Sequence, residues 1–288
     1  MIEHLTRGDA LDVYEVYSVE RDCSCVAKVI RPDRRHVTRV RRRLVREGRL
    51  LQTLQHPHLV RGYGTVTRPE LVVLIETLTG PTLEHLIDTE RRRPSAVSLA
   101  YLGLHLCSAL HYLHGNGYLH LDVKPDNVIV ESGIAKLIDL SLARPPGVGR
   151  RGAGTRRFLS PEQARGTALS AASDVWGLGV TLYEAATGRA AFGPADDREI
   201  GVLDDGGYLQ LQRPAASLRR WRRTLPSELT AIVDRCLDPD PGRRPALPEL
   251  RAVLLAVTQL GSQTVEAESG GNAESCDGAS GGKLTAAR

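Results

Sequence analysis

The chain has 288 residues, 41% of them apolar and 25% charged, which suits a globular protein of one large domain or two joined lobes. Its formal charge is +4 and its arginines are dispersed in short runs, so the composition excludes the concentrated basic face of a nucleic-acid-binding protein. No apolar run reaches the roughly 20 residues of a membrane span, and the N-terminal residues lack the apolar stretch of a signal peptide. We therefore expect a cytoplasmic protein without a membrane span.

Two residue types are informative by their numbers. The cysteines are odd in number and only the first two lie close together, which predicts reduced thiols and no zinc site; they are Cys23, Cys25, Cys107, Cys236 and Cys276. Arginine supplies nearly all the positive charge, and lysine occurs only at Lys28, Lys124, Lys136 and Lys283. Because arginine cannot replace lysine where a compact point charge is required, each lysine is of particular interest.

The first part of the chain predicts strands and one helix. Residues 11–30 have the pattern of two strands joined by a charged turn. Residues 37–54 predict a helix with one apolar face, and Glu47 lies within that face. A buried carboxylate is costly unless a cation meets it, so Glu47 needs a positively charged partner. A strand at 71–75 then leads into the turn at 79–81.

The second part predicts mainly helices. A leucine stripe from Leu99 to Leu113 predicts a helix that ends at Gly115, and the apolar residues 174–187 predict a buried central helix. Between them, two short strands at 128–130 and 134–138 predict a hairpin. After a last amphipathic helix, the composition predicts a disordered tail. We therefore divide the chain into an N-terminal lobe (1–78), a C-terminal lobe (79–261) and a tail (262–288).

The segment from His120 to Val130 carries the strongest chemical signal. Asp122 is followed by Lys124 and Asn127 just before the predicted hairpin, and Asp139 follows that hairpin. Phosphoryl transfer needs a carboxylate that orients the attacking hydroxyl, oxygen ligands for Mg²⁺ and a positive charge near the phosphoryl oxygens. A polar turn between a helix and a hairpin would account for one such residue, but not for these at fixed offsets.

With these motifs the sequence resembles the protein kinase superfamily, and within it the eukaryotic-like serine/threonine kinases of bacteria, over roughly residues 5–258. The resemblance implies an α+β bilobal protein kinase fold, with a small N-terminal β-sheet lobe that includes helix C and a larger, mainly α-helical C-terminal lobe. It also implies transfer of the γ-phosphate of ATP, with Mg²⁺, to Ser/Thr hydroxyls of protein substrates. Nothing in the sequence predicts the oligomeric state.

The resemblance implies roles for individual residues. Lys28 would contact the α- and β-phosphates and pair with Glu47; Asp122 would orient the acceptor hydroxyl as a base; Lys124 would reach the γ-phosphate; and Asn127 and Asp139 would hold Mg²⁺. Residues expected around the nucleotide are Gly8, Val13, Ala27, Lys28, Glu76, Leu78 and Ile129, with Ile75 as gatekeeper. Supporting contacts are expected from Thr155 to Asp122 and Lys124, from Glu162 to Arg244, and from Asp174 to the catalytic loop.

The chain also departs from the family pattern. The glycine-rich loop retains only Gly8, and Ser141 replaces the glycine of the family's DFG motif. Leu121 replaces the arginine that binds an activation-loop phosphate, and residues 142–154 contain no Ser, Thr or Tyr. We therefore expect the loop to be ordered without phosphorylation, through Pro145 and Pro146 or through a bound partner.

Two alternatives remain from the sequence. One is a pseudokinase scaffold with weak or no nucleotide binding, which the degenerate glycine loop and the altered DFG motif favour. The other is a small-molecule phosphotransferase of the antibiotic-kinase type, which has a similar His-x-Asp and Asn loop. The intact catalytic residues oppose the first, and the Ser160–Glu162 motif with Arg244 opposes the second.

Overall fold

The computed structural model of the chain describes residues 2–193 and 207–270, the last ten of these as backbone only. Its N-terminal part is a five-stranded antiparallel sheet in the order β1-β2-β3-β5-β4. The strands are β1 (Glu3–Arg7), β2 (Leu11–Ser18), β3 (Cys23–Ile30), β4 (Gly62–Val66) and β5 (Val72–Glu76). Helix α1 (Thr38–Thr53) packs on β4 and β5. Its apolar face is buried through Leu44, Leu50 and Leu51, which fixes Glu47 in the interior.

Gly62 allows α1 to approach the sheet closely. A Cβ added at Gly62 would lie 2.6 Å from both the Cβ and the carbonyl oxygen of Leu51. The position has no room for a side chain, because the backbone of α1 at Leu51 fills the space.

The C-terminal part is mainly helical. Its helices are α2 (Leu83–Thr89), α3 (Ala96–Gly115), α4 (Pro161–Arg165), α5 (Ala171–Thr187), α6 (Ser227–Cys236) and α7 (Leu247–Gly270). Helix α5 is buried from Ser173 to Ala186 and packs against α3 and α6. It begins at a capping box in which Ser170 and Ser173 exchange hydrogen bonds, and it ends at Gly188, whose φ of 66° is the left-handed conformation that glycine favours.

Helix α3 is the one helix among the described residues that is long and apolar enough to cross a membrane. Leu99, Leu106, Leu110 and Leu113 are nevertheless fully buried, and the helix packs against α5 and α7. These contacts are those of a core helix in a globular domain.

Two short β-pairs lie in this part of the chain. Strands β6 (Val128–Glu131) and β7 (Ile134–Leu137) form a hairpin, and β8 (Gly147–Val148) pairs with β9 (Ala168–Leu169). Leu137 also exchanges backbone hydrogen bonds with His58 and Val60, which connects the hairpin to the chain segment before β4.

The architecture is the α+β bilobal fold expected from the sequence. Strands β1 and β4 were not predicted, because β1 is exposed throughout and β4 contains two glycines, which weakens the strand pattern. The predicted start of the tail at residue 262 is wrong for its first residues, since α7 continues to Gly270. Extending an existing helix costs little, and glutamine, glutamate and alanine in this stretch favour it. Residues 271–288 lie outside the described residues.

Candidate active site

A buried ion cluster joins β3, α1 and the residues after β7. The Lys28 ammonium lies 2.5 Å from Glu47 Oε1 and 3.3 Å from Asp139 Oδ1. Lys28 is 8% exposed and Glu47 is 0% exposed, so the carboxylate in the apolar face of α1 has the cation that its burial requires.

Burial and charge act against each other in this cluster. Burial raises the pKa of Glu47 to about 7, although the Lys28 ammonium opposes the shift. Burial alone would lower the pKa of Lys28, but the carboxylates of Glu47 and Asp139 outweigh it and raise that pKa. Burial would likewise raise the pKa of Asp139, but Lys28 and the Ser141 N–H hold it well below its ordinary value. Lys28 therefore stays charged at neutral pH beside an ionised Asp139.

Asp122 is the centre of a second cluster. Thr155 donates its hydroxyl to Asp122 Oδ1 over 2.9 Å and its N–H to the same oxygen over 3.2 Å. Lys124 Nζ donates to the Thr155 hydroxyl over 2.8 Å and lies 3.8 Å from Asp122 Oδ2. The catalytic loop (120–127) and the activation segment (139–162) thus meet at the carboxylate of Asp122.

Asn127 and Asp139, which are expected to hold a metal ion, carry oxygen atoms that can coordinate one. Asn127 Nδ2 donates to Asp122 Oδ2 over 3.0 Å and to its carbonyl over 2.9 Å, which turns the amide group toward Asp122 and leaves Oδ1 as the acceptor. Asp139 accepts hydrogen bonds at Oδ1 from Lys28 and the Ser141 N–H, and a carboxylate can supply a further oxygen. Oxygen donors of these two kinds suit a hard divalent cation such as Mg²⁺.

Asp174 braces the catalytic loop from α5. Its oxygens accept the N–H groups of His120 and Leu121 over 2.8 and 2.7 Å, and the His114 ring lies 2.8 Å away. Leu121 has a φ of 66°, an unfavourable left-handed conformation for leucine. The bonds from Asp174 hold this strained residue directly before Asp122.

Leu121, which replaces the family's arginine, lies in an apolar cluster with Leu119, Leu169 and the partly buried Leu142. A Cβ added at Gly149 would come within 2.6 Å of Leu169, so the middle of the activation segment also packs on this cluster. Apolar contacts of the Leu121 cluster with Leu142, at the start of the activation segment, and with Leu169, beyond its end, thus occupy the place of an ionic contact. This contact needs neither Pro145 and Pro146 nor a bound partner, the two means of ordering that the sequence led us to expect.

Glu162 and Arg244 form a buried ion pair below the activation segment. Arg244 Nη1 and Nη2 donate to the two Glu162 oxygens over 2.7 and 2.9 Å, and the guanidinium lies over the Trp176 ring. Burial alone would raise the pKa of Glu162, but Arg244 outweighs it and holds that pKa below its ordinary value. The pair is the one that the sequence led us to expect.

Part of the expected nucleotide set lines one cleft. A cavity of about 540 Å³ between β1, β2 and α1 is lined by Gly8, Val13, Lys28, Glu47 and Asp139, among others. The glycine at position 8 is not required by local packing, because an added Cβ would meet the Leu11 carbonyl only at 3.4 Å.

The remaining expected residues lie around the segment that joins the two lobes. Ala27 is buried on β3, Glu76 ends β5, Leu78 follows it, and Ile129 lies on β6. Thr82, which lies beyond Leu78, pairs with Ile129 in an isolated bridge. Ala27, Leu78 and Ile129 do not line the 540 Å³ cavity, so only part of the expected set lies there.

Several contacts at the site were not predicted from the sequence. Arg46 of α1 donates to the Ser141 carbonyl over 2.7 Å, and Gln163 donates to the Leu121 carbonyl over 2.9 Å. Gln163 could have been noticed as the third residue of the capping box that begins at Ser160. Arg46 has no sequence signal that separates it from the other arginines of α1.

Comparisons with known proteins agree with this site. A family model described as a protein kinase domain matches residues 1–254. The serine/threonine-protein kinase PkaA of Streptomyces coelicolor is 32% identical over 232 residues, which cover 75% of this chain and 40% of that protein. The serine/threonine-protein kinase PknB is similar in two species: that of Mycobacterium tuberculosis is 31% identical over 269 residues (88% of this chain, 42% of that protein), and that of Mycobacterium leprae is 29% identical over 263 residues (87% and 41%).

The chain belongs to the protein kinase family. It spans about two fifths of the length of the curated relatives that it matches. Members of this family use ATP and a divalent metal ion.

Proposed function

We propose that the chain transfers the γ-phosphate of ATP to serine and threonine hydroxyls of other proteins. The observation that carries the proposal is the convergence of Thr155, Lys124 and Asn127 on the carboxylate of Asp122. Phosphoryl transfer depends on positioning and charge more than on covalent chemistry, and this cluster supplies both at one point.

The roles follow from the charges that each residue presents. Asp122 would orient the acceptor hydroxyl and take up its proton on the carboxylate, while Lys124 offsets the negative charge of the transferred group. Lys28, held by Glu47, would bind the α- and β-phosphates, with Gly8 and Val13 covering them. Asn127 and Asp139 would hold Mg²⁺, which neutralises charge on the phosphate oxygens when it is bound.

The adenine would lie at the connecting segment. The backbones of Glu76 and Leu78, with the side chains of Ala27 and Ile129, would hold the base. Glu76 and Leu78 lie at the start of the segment between β5 and α2, and Ile129 pairs with Thr82 at its end, which supports the assignment of these three residues to one subsite.

The class of acceptor rests on the activation segment. The contact of Thr155 with both Asp122 and Lys124 supports a serine/threonine acceptor, because the resemblance places this arrangement in that branch. The names of the relatives, serine/threonine-protein kinases in each case, support the same acceptor. Glu162 and Arg244 anchor the segment that would receive a protein substrate.

Neither alternative gains support from the geometry. A pseudokinase would be expected to lack part of the ion cluster, whereas Lys28, Glu47 and Asp139 lie within contact distance of one another. A small-molecule phosphotransferase would not need the platform that the Glu162–Arg244 pair anchors.

A cytoplasmic location is part of the proposal. Among the described cysteines, Cys23, Cys25, Cys107 and Cys236 are free thiols, which suits a reducing compartment. The lobe boundary between residues 78 and 79 also belongs to the proposal, since the adenine would bind there.

A transfer assay tests the function. Purified protein is incubated with γ-labelled ATP, Mg²⁺ and a generic basic protein, and the labelled product is hydrolysed to identify the phosphorylated amino acid. We expect label on serine and threonine. Label on tyrosine alone, or label on a small molecule such as an aminoglycoside but on no protein, would contradict the proposal.

A further inference from the structure

Of the described lysines, Lys136 is the one without a proposed role in phosphate binding or phosphoryl transfer. Lysine occurs at three described positions, and Lys28 and Lys124 lie in the two catalytic clusters. Lys136 instead lies on β7, where its ammonium is 2.7 and 2.8 Å from the two carboxylate oxygens of Glu76. Glu76 ends β5 and begins the segment that connects the lobes.

Glu76 is held on a second side by Arg61. The Arg61 N–H donates to Glu76 Oε1 over 2.8 Å, and the Glu76 N–H donates to the Arg61 carbonyl over 2.9 Å. The side chains of Lys136 and Glu76 are 25% and 15% exposed, so water screens their attraction less than at an open surface. The first residue of the connecting segment is thereby fixed relative to the β6–β7 hairpin.

The same hairpin holds the other end of the segment. Glu131, the last residue of β6, accepts the Thr79 N–H over 3.0 Å and also the Thr79 hydroxyl. These hydrogen bonds hold the pKa of Glu131 below its ordinary value. A Cβ added at Gly80 would overlap the carbonyl of Val130, so the chain lies directly on the hairpin there.

We propose that the β6–β7 hairpin is the support that fixes the connecting segment for the adenine base, with Lys136 and Glu131 as positioning residues that act through Glu76 and Thr79. The inference rests on the proposed function, because it needs an adenine bound to the backbones of Glu76 and Leu78. Those backbones lie between the two fixed ends. A base held by main-chain hydrogen bonds binds more tightly when the main chain is ordered beforehand.

The expected consequence is specific to the base. The Lys136 ammonium bonds Glu76, whereas the groups that would bind phosphates, Lys28 and Asp139, bond each other. Loosening the segment should therefore weaken ligands that contain adenine, whether or not they carry phosphates, and should leave the chemical step unchanged.

The test compares adenosine, which lacks phosphates, with ADP. In the Lys136→Met variant we expect both dissociation constants to rise about fivefold, the effect of losing a partly shielded ion pair. We expect the kcat of phosphotransfer to be unchanged and the KM for ATP to rise with the dissociation constants. Lys136→Arg should restore most of the affinity, and Glu131→Gln should weaken both ligands in the same way.

A matched control is available at the other end of β5. Arg35 Nη2 lies 2.5 Å from Glu70 Oε1, in an ion pair just before that strand. Arg35→Met removes a cation that is paired with a residue just before β5, and it should change neither dissociation constant. This control separates a general effect of charge removal from an effect on the connecting segment.

Each outcome decides a different claim. If Lys136→Met leaves both ligands unaffected, or weakens ADP but not adenosine, the inference is overturned while the proposed function stands. If the folded wild-type protein binds neither adenosine nor ADP, the proposed function fails and the inference fails with it.

Discussion

Thr155 and Asp122 are joined by two hydrogen bonds, from the hydroxyl and from the N–H of Thr155 to the same carboxylate oxygen, over 2.9 and 3.2 Å. The hydroxyl also accepts from Lys124 over 2.8 Å. The Thr155 side chain therefore fixes the Asp122 carboxylate and the Lys124 ammonium together, and it does so from within the activation segment. The order of the segment and the alignment of Asp122 with Lys124 therefore depend on the same hydrogen bonds.

Replacing Thr155 tests this coupling. Thr155→Val keeps the shape but removes the hydroxyl, and we expect kcat to fall about tenfold because hydrogen bonds to two charged groups are lost. The KM for ATP should change little, and Thr155→Ser should retain most of the rate. Thr167→Val is the control, because Thr167 follows α4 and its hydroxyl donates to the Glu162 carbonyl, not to Asp122. An unchanged kcat in Thr155→Val would show that the Thr155 hydroxyl does not align Asp122 and Lys124 for transfer.

Activity should not depend on phosphorylation of the activation segment. Leu121 cannot bind a phosphate, and its cluster with Leu119, Leu142 and Leu169 already connects the catalytic loop to the segment. Enzyme treated with a phosphatase and assayed before it can rephosphorylate should therefore keep its initial rate. A lag that disappears as mass spectrometry detects phosphate on Thr155 would contradict this prediction.

Loss of the Glu162–Arg244 ion pair should lower the free energy of unfolding more than loss of the charge on the neighbouring Arg243. Arg244→Met leaves the buried carboxylate of Glu162 without its cation, which should lower the free energy of unfolding by about 3–5 kcal/mol. Arg243→Met is the matched control, because the side chain of Arg243 is 76% exposed and its loss should cost almost nothing. Chemical denaturation measures both. Equal stabilities of the two variants would mean that Glu162 is not held by Arg244.

The raised pKa of Glu47 predicts a dependence of stability on pH. The folded pKa is about 7, above the ordinary value of 4.5, so the folded state binds the extra proton between these two values. The contribution of Glu47 to stability is thus complete below pH 4.5 and is lost as the pH rises to about 7. Wild type should lose stability relative to Glu47→Gln between pH 5 and about pH 7. No loss by wild type over that interval would show that Lys28 keeps Glu47 ionised throughout.

The sequence predicted those parts of the site whose signals are local. Glu47 was identified because it interrupts the apolar face of α1, and Asp122, Lys124 and Asn127 because they occur at short fixed offsets. Distant contacts that the family resemblance did not imply left no such signal. Lys136 and Glu76 are 60 residues apart, and Glu131 and Thr79 are 52 residues apart, so only the fold brings each pair together.

The ordering of the activation segment shows the same limit. The sequence revealed that an arginine was missing at Leu121, but it did not reveal what takes its place. Prolines 145 and 146 or a partner were the candidates, whereas the structure packs Leu121 against Leu169, which lies beyond α4. An apolar contact of this kind depends on the path of the whole segment and cannot be inferred from residue types alone.

Phosphotransfer by wild type, Asp122→Asn and Lys28→Met, measured beside their affinity for ADP, tests the central claim most directly. Asp122→Asn removes the group that orients the acceptor but not the groups that bind phosphates, so transfer should be abolished while ADP still binds. Lys28→Met removes a phosphate contact and leaves Glu47 without its cation, so transfer should be lost and ADP binding weakened. All three proteins should remain folded. Undiminished transfer by either folded variant would contradict the assignment of the active site.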